Sequence, residues 1–491
     1  MSTCRPCGDI VALILLATLI RLAFAWALGL GVDESYMVAS GRVLSLGYFD
    51  HPPASWWLSW GAAHLFNSEA PIVVRLPFIA LFALSTFLMY RLGAAIADER
   101  AGLWAALLLN LSPVFGVTTG TWVLPDGPLD CALLGAALCL LRALERETFI
   151  WWLATGLCAG LALFSKYSAI LTMAGALIYL ATTPDRRWLK RPEPWLAALI
   201  AALIFAPVVY WNATHGWASF AFQGGRASAA HIRPLAPFIT LLGESVFVLP
   251  WIWLPLMIVF IAALRRGPSE WRPRLLACLA APPIVLFALI SAWSSQRVLY
   301  HWAAPGYLML FPLLGDAVAR RLAQPMIRQA IFGTTCFVIL GVATVATQVR
   351  FDWLHSLIAT VVWHDPDLEA LDWTSLRDDL IARGLLHPGS IVGVPNWRDA
   401  GKIAYAFGPD VTTLCFSTDA RQFGIAEPVG DYLGADILIL APDHPERVPR
   451  ELGASFDYLE RLPDSAIIHN GVFQPVAVFR ANQLRHWPPS D

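Results

Sequence analysis

The first 350 residues are dominated by apolar runs close to the roughly 20 residues that a helix needs to cross a bilayer. They fall at 10–30, 71–91, 101–118, 127–143, 149–164, 167–182, 195–212, 238–263, 274–293, 301–317 and 328–349. Within lipid every backbone polar group must find its partner inside the chain, and a helix achieves this locally. The pattern therefore predicts a mostly α, polytopic membrane helix bundle of about 11 spans. The first run is too long for a secretory leader, and Arg21 interrupts it without a small-residue cleavage site, so it is expected to be retained. Only 14% of residues are charged, against about 25% in soluble chains, which excludes a single large soluble domain.

Charge divides the chain. Residues 351–491 hold 20 acidic and 10 basic residues, a balance of −10. The first 350 hold 16 and 24, a balance of +8, and the two sum to the overall −2. The expected domains are thus a membrane domain over 1–350 and a small soluble α/β domain over 351–491. Short loops on one side carry 15 cations, among them Arg186, Arg187, Arg191, Arg272 and Arg274. The opposite loops carry six: Arg42, Arg75, Lys166, Arg226, Arg233 and Arg297. The positive-inside rule then places the N-terminus in the cytoplasm of a bacterial inner membrane and the tail in the periplasm.

In the tail, Ile391–Val394, Val411–Cys415, Asp436–Ala441 and Gln474–Phe479 read as strands, and Asp399–Phe407 as a helix. No Gly-rich phosphate loop opens any of its helices, so no nucleotide site is expected. The tail has one cysteine, Cys415, and cannot be a disulfide scaffold. Cys4-x-x-Cys7 has no second pair and reads as an ordinary N-terminal tail. Neither half carries a basic stripe with interleaved aromatics, so nucleic acid is not an expected partner.

Polar side chains at the rim of a membrane domain are costly and are functional candidates for that reason. Most lie on the cation-poor side. The first span ends in Gly31-Val32-Asp33-Glu34-Ser35-Tyr36, and a Trp-rich loop follows with Tyr48-Phe49-Asp50-His51-Pro52-Pro53. Later loops add Pro125-Asp126-Gly127-Pro128, then Ser165-Lys166-Tyr167, then Arg226, and finally Arg297-Val298-Leu299-Tyr300-His301. Carboxylates beside fixed cations suit a reaction in which a hydroxyl loses a proton while a phosphate departs. Each has a plainer reading. Asp33 and Glu34 could form a solvated helix end, Asp126 could cap the helix beginning at Gly127, and Arg226 could pair with lipid headgroups. Lys166 resists such a reading, because a short turn between apolar spans needs no cation.

The order Asp33-Glu34-x-Tyr36, Gly47–Pro53, Val74-Arg75-Leu76-Pro77, Pro125–Pro128 and Ser165–Tyr167 resembles the bacterial branch of the protein O-mannosyltransferase family. That branch includes the lipid A aminoarabinose and galacturonic acid transferases. The resemblance covers about residues 10–350 and implies a GT-C glycosyltransferase. Such an enzyme takes a sugar from a polyprenyl-phosphate donor and inverts its anomeric centre, at the outer face of the membrane. The acceptor is a lipid, glycan or protein. By the same resemblance, Asp33 is the base, with Glu34 and Asp126 as its catalytic companions. Lys166, Arg226, Arg297 and His301 bind the donor phosphate, and Tyr36, His51 and Tyr300 line the substrate pocket. No cofactor is expected; a divalent cation is unsupported, since carboxylates and histidines lack ligand spacing. The competing expectation is a transporter or lipid flippase, which would place charges near the bilayer midplane on broken helices.

Overall fold

The computed structural model describes residues 6–226, 228, 232–266, 270–294, 296–354, 367–469 and 472–487. Cys4 of the N-terminal pair lies outside them. By contact the chain forms two compact units: one of Met1–Ala23, Leu46–Ser55 and Arg75–Ala343, the other of Phe24–Ser45, Trp56–Val74 and Thr344–Asp491. The boundary expected at residue 350 follows chain order alone. By contact, residues 24–45 and 56–74 group with the tail.

The first unit is helical. Its helices include α4 (Pro71–Ile96), α5 (Glu99–Leu111), α6 (Asp126–Arg146), α7 (Phe149–Ser165), α8 (Ala169–Thr182) and α9 (Pro192–Thr214). They continue through α10 (Ala218–Gly225), α11 (Ala236–Val248), α12 (Pro250–Arg265), α13 (Trp271–Ile290), α14 (Ala304–Leu308) and α15 (Phe311–Arg321). Small residues set the closest approaches. A Cβ added at Gly156 of α7 would come within 2.4 Å of the Ala197 carbonyl oxygen on α9, so only glycine allows these backbones to touch.

Among the described residues, six helices are long and apolar enough to cross a membrane: α1 over Gly8–Ala27, α4, α6, α9, α13 and α16 (Pro325–Phe351). A seventh results if α11 and α12, bent by 115° at their junction, count as one. These helices among the described residues do not confirm the 11 spans expected, and proline divides two of the expected runs. The run 101–118 breaks after α5 at Ser112-Pro113 and resumes as a π-helical turn, Val114–Thr119. The run 301–317 becomes α14 and α15, each with a proline in its first turn. Helices α7 and α8 are apolar but shorter than a span.

The second unit contains a five-stranded sheet. Its strands are β1 (Ile391–Val394), β2 (Thr412–Cys415), β3 (Ile437–Ala441), β4 (Phe456–His469) and β5 (Val472–Leu484), in the order β2-β1-β3-β5-β4. β1 runs parallel to β2 and β3, while β5 is antiparallel to β3 and β4. The core strand β3 is buried along its whole length, as its unbroken apolar run requires. Against this sheet unit pack α2 (Val32–Ser40) and the helix Trp397–Phe407.

Candidate active site

In the helical unit the site is built on the start of α6. Asp126 opens that helix, where the dipole favours a negative charge, and Pro128 fits the first turn because no backbone N–H is needed there. A Cβ on Gly127 would sit 2.9 Å from the Thr119 carbonyl oxygen, so glycine lets the helix start press against the π-helical turn. Lys166 follows the last residue of α7 in extended conformation. Its Nζ donates to both Asp126 carboxylate oxygens, at 2.8 and 3.0 Å, and both side chains are under a tenth exposed. The residues between them, 40 positions from one to the other, form a helical hairpin whose ends deliver this pair. Asp130, one turn deeper on α6, is also buried.

Beside the pair lies a cavity of about 120 Å³, lined among others by His51, Lys166, Tyr167, Gln223, Arg226 and Trp302. The Arg226 guanidinium lies 4.4 Å from the Phe222 ring and 5.3 Å from that of Trp302, a geometry that keeps the cation charged on an aromatic wall. His51 and His301 are close enough to Asp126 to interact with its charge. Thus Asp126, Lys166, Arg226, His51 and His301 lie near one another. Arg297 and Tyr300 do not line this cavity. The exposed Arg297 donates 2.8 Å to the Tyr300 hydroxyl, and the Tyr300 ring covers Gly243.

The other candidates belong to the second unit. Glu34 is buried and accepts 2.9 Å from the Gly31 N–H, closing the N-terminus of α2 as a cap. Tyr36 is fully buried, with edge contacts to Trp56 and Trp397, and its hydroxyl accepts from the Gln422 N–H at 3.1 Å. These two side chains hold α2 in place. Asp33 keeps an exposed face and makes no hydrogen bond among the described residues. Protein surrounds it densely all the same, and this desolvation pushes its carboxyl above the usual range. Arg421 and Arg398 pull the other way, while Glu369 and Glu34 add repulsion.

Sequence reasoning missed the tail's part in this arrangement. Lys402, buried on the helix Trp397–Phe407, donates to the carbonyl oxygens of Leu30 (2.8 Å), Glu369 (3.1 Å) and Leu371 (2.6 Å). It clamps Leu30, two residues before the start of α2. Arg42 reaches Glu69 at 2.7 Å and the Ala404 carbonyl at 2.8 Å. A signal was available: Lys402 is one of three lysines in the chain and lies on the apolar face of its helix. No group of three or more His, Cys, Asp or Glu side chains able to hold a metal occurs among the described residues.

Residues 50–211 match the family model described as dolichyl-phosphate-mannose-protein mannosyltransferase. The fold agrees with the crystal structure of ArnT from Cupriavidus metallidurans in the apo state, at a TM-score of 0.65 over 96% of this chain and 97% of that one, with 15% identity. The same protein bound to undecaprenyl phosphate matches at a TM-score of 0.64. Among curated relatives, the undecaprenyl phosphate-alpha-4-amino-4-deoxy-L-arabinose arabinosyl transferase 2 of Proteus mirabilis is 25% identical over 238 residues, 44% of this chain. The lipopolysaccharide core galacturonosyltransferase RgtA of Rhizobium johnstonii is 25% identical over 304 residues, 58% of this chain. The matches span 42% and 58% of those two relatives' own lengths.

Proposed function

We propose that this protein transfers a sugar from a polyprenyl-phosphate donor to a lipid, glycan or protein acceptor at the outer face of the bacterial inner membrane. In this reading the N-terminus lies in the cytoplasm and the sheet-bearing unit in the periplasm. The observation that carries it is the buried Asp126–Lys166 pair beside the Arg226 cavity. A lysine held at 2.8 Å by a carboxylate is charged and oriented before any ligand arrives. Arg226 supplies a second fixed cation, and His301 a further polar group near Asp126 and Lys166. Together they suit a phosphate that gains charge as it leaves.

Asp33 is the base. The acceptor hydroxyl gives its proton to the Asp33 carboxylate and its oxygen bonds to the anomeric carbon from the face opposite the phosphate. The bond from that carbon to the phosphate oxygen breaks, and its electron pair stays on the polyprenyl phosphate. One displacement inverts the centre and needs no covalent intermediate on the protein. Glu34, as the cap of α2, positions Asp33.

The assay is transfer of radiolabelled sugar from a polyprenyl-phosphate donor by the purified full-length protein, with wild type against Lys166→Met. Loss of transfer with the fold retained is the expected result; undiminished transfer refutes the reading. One feature favours transport instead: the broken pair α11–α12 carries a buried carboxyl, Glu244, bonded by the Tyr307 hydroxyl at 2.5 Å. Cysteines introduced at Asp126 and Lys166 would then be labelled from both sides of the membrane, whereas sugar transfer predicts labelling from one side.

A further inference from the structure

The far end of α6 carries a second polar recess. Glu145 lies 19 positions after Asp126, which at about 1.5 Å per residue is about 28 Å along the axis, close to the thickness of a bilayer core. The recess, about 440 Å³, lies between the end of α6, the end of α8 with the turn that follows it, and the start of α13. Arg187, Arg272 and Arg274 line it, against two carboxylates, Glu145 and Asp185, and Arg187 is also paired with Glu147 at 2.5 Å.

The two carboxylates are already engaged. Glu145 binds Arg272 at 2.5 Å and Arg142 at 2.7 Å, and Asp185 accepts from the buried Tyr179 hydroxyl at 2.8 Å. Arg274 has no carboxylate within ion-pair distance among the described residues. An uncompensated guanidinium in a half-buried recess favours an anion with several acceptor oxygens. Trp271 lines the same recess, and Trp188 is buried behind Arg187 and Arg191, an aromatic arrangement typical of headgroup depth.

The same helices supply a place for the ligand's other half. Leu140 of α6, Ala176 and Leu180 of α8, and Leu279 of α13 help to line an apolar groove of about 250 Å³. Leu140 lies one turn deeper than the recess-lining Leu144 on α6. A phosphate-binding recess at the helix ends, with an apolar groove one turn further in, matches the two halves of a phospholipid. We infer that this recess binds the phosphate headgroup of an anionic phospholipid, at the end of the helical unit opposite the Asp126–Lys166 site.

The test uses full-length protein purified in a detergent that carries no phosphate. Phosphatidylglycerol is titrated and bound lipid is counted by native mass spectrometry. Wild type should hold one tightly bound molecule. Arg274→Gln should weaken it about tenfold, the double variant Arg187→Gln/Arg274→Gln further, and Arg274→Lys should recover part of the loss. Arg328→Gln, a cation outside the recess, should leave binding unchanged. Undecaprenyl phosphate binding should persist in Arg274→Gln, which also shows that the variant is folded. Equal lipid retention by wild type and Arg274→Gln overturns the inference, and so does equal weakening by Arg328→Gln. Protection of the protein against heat by inorganic phosphate, to the same degree as by phosphatidylglycerol, would show a free-anion site and overturn it as well.

Discussion

Removing the charge at Lys166 separates two roles that the ion pair combines. At 2.8 Å and an effective dielectric of ~20, the gross attraction between Lys166 and Asp126 is about 6 kcal/mol. Much of this offsets the desolvation of two nearly buried groups. Breaking such a pair from one side costs about 3–5 kcal/mol, because the partner stays buried and charged. Lys166→Met should therefore lower the unfolding midpoint measured by tryptophan fluorescence. Adding Asp126→Asn removes the stranded carboxylate and should restore most of that loss. Donor binding should behave differently. A charge-assisted hydrogen bond to phosphate is worth about 1.5–3 kcal/mol, so affinity for undecaprenyl phosphate should fall roughly 10- to 150-fold in Lys166→Met. In the double variant it should stay low while stability returns. A double variant that is stable and binds undecaprenyl phosphate as tightly as wild type would refute the assignment of Lys166 to the donor.

Lys402→Met strips a cation from three carbonyl oxygens and should destabilise the sheet-bearing unit by at least about 2 kcal/mol, seen as faster proteolysis within residues 367–487. The base must be ionised to act, and the raised Asp33 carboxyl implies that transfer falls away at a higher pH than an ordinary aspartate would dictate. Arg421→Gln removes the charge that most stabilises the ionised Asp33 and should move that acid limb to still higher pH. A limb that stays put would show that another group sets it.

The membrane character, the sheet position and the donor-side cluster were legible because each rests on a local signal. Apolar length marks spans, and three buried strands were visible as short runs of Ile, Val and Leu. Asp126 and Lys166 stood out because a charge at the end of an apolar span is costly to keep there. What was hidden depends on chain-distant contacts. Strand β4 escaped because Phe456–His469 is rarely buried, charged and interrupted by Pro463, beside which its register with β5 shifts. Nothing local tells that Lys402 reaches back 372 residues to the Leu30 carbonyl, or that Arg398 and Arg421 act on Asp33. Glu34 and Tyr36 sit beside Asp33 in sequence, but their bonds to Gly31 and Gln422 serve the placement of α2. Prolines divide two of the expected apolar runs into short helices, which no local signal of apolar length shows.

Asp33 is the base in the proposed sugar transfer, and one substitution tests this directly. Asp33→Asn changes one oxygen to an amide on an exposed face, with no hydrogen bond among the described residues to lose, so folding and membrane insertion should be unchanged. Transfer from a polyprenyl-phosphate sugar donor by purified Asp33→Asn, measured beside wild type at matched undecaprenyl phosphate binding, should drop below detection. Transfer at the wild-type rate in a folded, donor-binding Asp33→Asn protein would contradict the account.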